Sequence, residues 1–109
     1  MRLPGSGRVR IDERKVRDYL LSPTHPVGRF KAQVFAALGF DATMVGAFVA
    51  DIRRIAAEGE VSAVEDIEFG RKYTVPGDLR GPAGTARVLT VWIQESGQPD
   101  VRLVTVRPR

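Results

Sequence analysis

The sequence predicts an α+β domain, with two to three N-terminal helices packed on one face of an antiparallel sheet of three to four strands. Three observations predict it. Apolar residues recur at helical spacing through the first half of the chain and on alternate positions through the second. Segments rich in Gly and Pro separate the periodic stretches. The order is helices first and strands second, which places the helices together on one side of a meander.

The elements follow in order. In IDERKVRDYLLSP, Asp12 is a candidate N-cap, Val16, Tyr19 and Leu20 share a helical face, and Ser22-Pro23 stops the helix. In GRFKAQVFAALGF, Phe30, Val34 and Leu38 form one stripe with Phe35 beside it, and the helix is expected to begin near residues 27–29. Gly39 is the expected C′ residue, and Phe40 closes the turn. In DATMVGAFVADIRRIAAEGE, Val45, Phe48, Val49, Ile52, Ile55 and Ala56 fall at i, i+3, i+4 spacing, ended by Gly59. EDIEFGRKYTV then reads as one strand, with Ile67, Phe69, Tyr73 and Val75 on alternate positions and Arg71 in phase. PGDLRGPAG reads as a loop of breakers. ARVLTVWIQ is apolar on both faces, the pattern of a central strand. ESGQPD is a hairpin connection, and VRLVTVRP is the last strand.

The chain has 109 residues, enough for one domain. Residues 1–10, MRLPGSGRVR, are expected to form a flexible basic segment without the apolar stretch of a secretory signal, and residues 11–109 a single α+β domain. No apolar run approaches the roughly 20 residues of a membrane span, so no membrane partner is expected. There is no cysteine, which excludes disulfides and thiolate metal sites and fits a cytoplasmic protein. With one histidine, any metal would need carboxylates, and EGEVSAVEDIE lacks calcium-loop spacing. GSG at residues 5–7 is not followed by the Lys-Ser/Thr of a phosphate loop. No metal and no cofactor are therefore expected.

Charge is uneven along the chain. Residues 1–31 carry eight Lys/Arg and three Asp/Glu, residues 32–70 two and seven, and residues 71–109 seven and three. Two basic thirds flank an acidic middle. A fold that joins the ends gathers positive charge on one face, and such a face attracts phosphate backbones.

The only histidine lies in SPTHPVGRFKAQ. His25 precedes the first turn of the second helix, and Lys31 lies within that turn. Helix N-termini present unpaired N–H groups and partial positive charge, so a lysine there opposes the dipole. Backbone donors, an imidazole, Arg29 and Lys31 together suit an anion such as phosphate. An imidazole can move a proton near neutral pH, and a lysine can stabilise charge on a phosphorane. RNA supplies its own nucleophile, the 2′-hydroxyl. Each residue also has a structural alternative. His25 can be a turn residue between two prolines, and Lys31 can snorkel over its helix. Trp92 fits a core as well as a base-stacking role, and Tyr73 is in phase with Ile67 and Phe69. Thr105 fits half-buried strand packing. Arg71, Arg102 and Arg107 fit either a plain surface or a row that grips phosphates.

The stretches YLLSPTHPVGRFKAQVFAALGF, FGRKYTVPGDLRGP, VLTVWIQ and RLVTVRP resemble a small bacterial toxin-associated domain family of unassigned function. The likeness spans roughly residues 15–108. It also extends to the compact metal-free ribonuclease toxins of the RelE-like, barnase-like and EndoU-like groups. The resemblance implies a metal-independent ribonuclease with His25, Lys31, Thr105 and Tyr73 around the scissile phosphate. Arg29, Arg71, Arg102 and Arg107 would bind phosphate or RNA. The chain departs from EndoU-like patterns in having one histidine rather than two. RNA and a cognate antitoxin or immunity protein are the implied partners. The alternatives are a non-catalytic antitoxin, immunity or nucleic-acid-binding module, and a structural domain of a phage or secretion assembly.

Overall fold

A computed structural model describes residues 1–5, 8–26 and 28–109. The expected start of the second helix at residue 27, and two residues of the GSG stretch, lie outside them. The helices come first: α1 (Glu13–Lys15), continued by a π-helical segment (Val16–Leu20), then α2 (Arg29–Ala37) and α3 (Val45–Glu58). Four strands follow: β1 (Ala63–Ile67), β2 (Gly70–Gly81), β3 (Gly84–Glu95) and β4 (Arg102–Pro108). They pair antiparallel in the order β1-β2-β3-β4, so each strand neighbours the next in sequence. The fold is the α+β arrangement expected from the sequence.

Local chemistry explains the helix ends. The Asp12 carboxylate accepts from the backbone N–H groups of Arg14 and Lys15, as the N-cap reading requires. α2 ends in a Schellman turn. Gly39 takes φ +94° and donates to Ala36 C=O, and Phe40 N–H donates to Phe35 C=O at 3.0 Å. Phe40 is buried, as that motif favours.

The core lies between the helices and one face of the sheet. Phe35, Phe40 and Phe48 meet edge to face, with centroids 5.2 and 5.4 Å apart. They and Ile52, Ile55 and Val16 face Val75, Leu79, Val88 and Trp92, all buried. Leu3 and Val9 reach the same core, and Arg10 forms an isolated parallel bridge with Arg102. Thr90 is the one buried polar side chain among the described residues, and it is satisfied. It accepts from Trp92 Nε1 at 2.8 Å and donates to Val75 C=O at 2.7 Å. Trp92 is thus a core residue.

Three local expectations are corrected. EDIEFGRKYTV is not one strand. A two-residue turn at Glu68–Phe69 folds it into β1 and β2, with Ile67 opposite Gly70. Gly70 permits this because a Cβ there would lie 2.1 Å from Gln94 C=O. PGDLRG is not a loop. It is the second half of β2, and its glycines sit where the helices press close: a Cβ at Gly77 would meet Ile55 at 2.6 Å. In α2 the stripe Phe30–Val34–Leu38 meets the core only at Leu38. Phe30 is 62% exposed and Val34 37%, while Ala32, Phe35 and Leu38 are buried.

Candidate active site

The turn into α2 is built around one close approach. A Cβ on Gly28 would lie 2.2 Å from Tyr19 C=O, so glycine alone lets the chain lie against the end of the π-helical segment. This brings the His25 ring edge-on to the Tyr19 ring, with centroids 4.6 Å apart. Gly28 N–H donates to His25 Nδ1 at 3.1 Å, and Arg29 N–H donates to His25 C=O at 3.0 Å. An Nδ1 that accepts carries no proton, so the neutral imidazole holds its proton on Nε2.

Lys31 turns inward, although it sits in the first helical turn. Its ammonium donates to Thr105 Oγ1 at 2.8 Å, across 74 positions of sequence, and lies 5.8 Å from the Tyr19 ring centroid. β4 supplies Thr105 through an irregularity. The β3–β4 register shifts between Val91 and Trp92, so that Leu103 opposes Trp92 while Thr105 opposes Val91. Val91 and Trp92 are neighbours on β3 that face opposite sides of the sheet. The Lys15 ammonium donates to Val104 C=O on the same edge strand, and Arg107 lies two residues beyond Thr105.

Lys31, Lys15 and Arg107 therefore form a cationic cluster at the α2–β4 edge. Among the described residues no carboxylate lies within ion-pair distance of any of them. Burial lowers the Lys31 pKa below its ordinary value, and the charges of Arg107 and Lys15 lower it further. The arrangement offers anion-binding charge, one amine eased toward its neutral form, and one imidazole.

The other sequence candidates lie elsewhere. Tyr73 is buried on β2, two strands from β4, opposite Trp92, and its hydroxyl donates to Gln94 Oε1 at 3.4 Å. Arg71 pairs with Asp66 at 3.1 Å on β1, and Arg102 with Glu95 at 2.9 Å on β3. Arg29 is exposed, with its guanidinium 4.7 Å from the Phe30 ring centroid. The structure thus joins Lys31 with Thr105, sets Arg107 beside them, and links His25 to Lys31 through Tyr19. It does not join Tyr73 to them. Sequence reasoning missed Lys15 and Tyr19. Both sit in a helix read only for its apolar stripe, and the sole signal was their proximity in sequence to the His25 turn.

The comparisons with known proteins can now be set beside this geometry. Residues 2–109 match the family described as "Domain of unknown function (DUF6883)", and the chain belongs to that family. No curated protein is a significant match. Among solved structures the fold is similar to a chain of the contact-dependent growth inhibition toxin–immunity protein complex from Klebsiella pneumoniae 342. The TM-score is 0.72 at 13% identity, over 91% of this chain and 98% of that one. At that identity the likeness is one of fold.

Proposed function

We propose that the protein is a toxin-type, metal-independent ribonuclease whose scissile phosphate sits at the α2–β4 edge. The observation that carries this is the Lys31–Thr105 contact inside a cation cluster with no carboxylate partner among the described residues. Charges gathered against their own repulsion, with one partly buried, are characteristic of anion sites rather than of scaffolding. The likeness in fold to a chain from a toxin–immunity complex supports the toxin setting. Kinship with the RelE-like, barnase-like and EndoU-like groups is part of the same reading.

The chemistry uses the residues in hand. Neutral Lys31, favoured by burial and by Arg107 and Lys15, takes the proton of the 2′-hydroxyl. The 2′-oxygen attacks phosphorus, and the P–O5′ bond breaks. A 2′,3′-cyclic phosphate and a 5′-hydroxyl result. Lys15 and Arg107 stabilise charge on the phosphorane. His25 first offers Nε2–H to a phosphate oxygen. His25 takes a proton from solvent at Nδ1, in place of the Gly28 N–H contact, and the resulting imidazolium gives its Nε2 proton to the departing 5′-oxygen, while Lys31 returns the 2′ proton to solvent. Thr105 orients Lys31. Tyr73, on the far side of β3, has no role in this scheme.

The test is expression in a bacterial host. The parent chain should arrest growth and degrade RNA in the presence of EDTA, and His25→Ala should be harmless. Equal toxicity of the two, or cleavage that requires a divalent metal, would sink the mechanism. A second reading, a non-catalytic immunity-type partner, draws on the acidic β1 edge, where Glu65, Asp66 and Glu68 are exposed. It expects tight binding to a basic protein that His25→Ala leaves unchanged, with no RNA product from either chain.

A further inference from the structure

Phe30 poses a problem that the proposed chemistry leaves open. It is a large aromatic side chain, 62% exposed, on a helix that buries other apolar residues. Successive helix positions lie about 100° apart, so Val34 projects between Phe30 and Lys31. Of the three, Lys31 reaches Thr105 on β4. Phe30 and Val34 are thus the exposed apolar residues of α2 next in angle to Lys31. The Arg29 guanidinium lies over the Phe30 ring, 4.7 Å from its centroid. An aromatic face near cations that have no carboxylate partner among the described residues is the combination that single-stranded nucleic acids bind, with phosphates on the cations and a base on the ring.

We propose that Phe30 is a stacking platform for an unpaired nucleobase adjacent to the phosphate held at Lys31, so that the substrate is single-stranded or looped RNA. The proposal rests on the reading of the Lys31 cluster as a phosphate site. A paired base is stacked on its neighbours and cannot lie on Phe30. A base in a loop or a single strand can, and every base offers a π-face. The platform therefore selects strand state more than sequence. Arg29 has two parts in this, a cation for the backbone and a planar partner for the ring.

The experiment uses a short single-stranded deoxyoligonucleotide, which lacks the 2′-hydroxyl and stays intact, and a matched abasic one of equal charge. Phe30→Ala should bind the base-containing strand about tenfold more weakly than the parent. It should bind the abasic strand like the parent and keep the parent's salt dependence. Arg107→Ala should instead weaken both strands and reduce the salt slope by about one. Phe30→Trp should keep its affinity, and the emission of the new indole should be quenched by the base-containing strand alone; Trp92, fully buried, gives a constant background. Equal binding of the base-containing strand by Phe30→Ala and the parent would overturn the platform. So would equal quenching by the abasic strand, or a parent dimer that Phe30→Ala dissolves. Base-dependent binding by a parent that never cuts RNA would sink the cleavage and keep the platform. Cleavage with a KM unchanged in Phe30→Ala would do the reverse.

Discussion

In α3, Phe48, Val49, Ile52 and Ile55 all lie buried against the sheet; in α2, Phe35 is buried while Phe30 and Val34 face solvent. The two helices are neighbours in sequence and similar in apolar content. They differ in what their inward faces must hold. α3 packs on β2, and its inward face is wholly apolar. α2 packs beside β4 and turns Lys31 toward Thr105, which rotates Phe30 and Val34 outward. A helix that serves only the core obeys its hydrophobic period. A helix that also turns a lysine toward a neighbouring strand departs from it.

The sharpest test of that contrast is one substitution made twice. Phe48→Ala should cost about 3–5 kcal/mol, because it empties a fully buried aromatic position. Phe30→Ala should change stability by less than about 0.5 kcal/mol. Urea unfolding followed by Trp92 emission reads both, and equal losses would break the comparison.

Glycines give the next largest pair. Gly28→Ala, at the start of α2, drives a Cβ into Tyr19 C=O and should cost about 1–3 kcal/mol. It should also loosen His25 from its seat on Tyr19. Gly46→Ala in α3 meets nothing within 4 Å and should stabilise by about 0.4–1 kcal/mol. Thermal melts of the two variants should move in opposite directions.

The smallest expected effect concerns Lys31. Its folded pKa lies below the ordinary 10.5, so the unfolded chain binds more protons in the window between the folded value and 10.5. Stability contributed by this group is reduced while it is charged in the fold, and recovers as pH rises through that window. Lys31→Met should lack this rise and be slightly more stable than the parent near neutral pH. Solvent screening keeps the gain under about 1 kcal/mol. A variant clearly less stable than the parent would mean that the Thr105 bond outweighs the burial cost.

Legibility in the sequence followed the same divide. The Asp12 cap, the Gly39 stop, the α3 stripe and the central place of β3 rest on local chemistry, and each is visible in a short window. The turn at Glu68–Phe69 was hidden because Ile67, Phe69 and Tyr73 keep a strand-like alternation straight through it. The second half of β2 was hidden because Gly77 and Gly81 read as breakers, while their function is to admit Ile55 and the Leu38 backbone. The sequence reading grouped Lys31 with Thr105 by residue type and by resemblance. Their contact depends on a register shift in β4 that no local pattern announces. The stripe Phe30–Val34–Leu38 has a helical period, but period alone does not say that only its Leu38 end reaches the core.

The cluster of Lys15, Lys31 and Arg107 has a practical corollary for anyone who purifies the protein. If the cluster binds phosphate as proposed, three cations with no carboxylate partner among the described residues make the fold sensitive to the anion in the buffer. A bound oxyanion adds RT ln(1 + [L]/Kd) to stability, about 2.7 kcal/mol at a hundredfold excess over Kd. The ranking of parent and Lys31→Met then depends on the solution: the variant melts higher in a chloride buffer, and the parent overtakes it as inorganic phosphate is added. The concentration at which the two melting curves cross measures the affinity of the proposed site for phosphate.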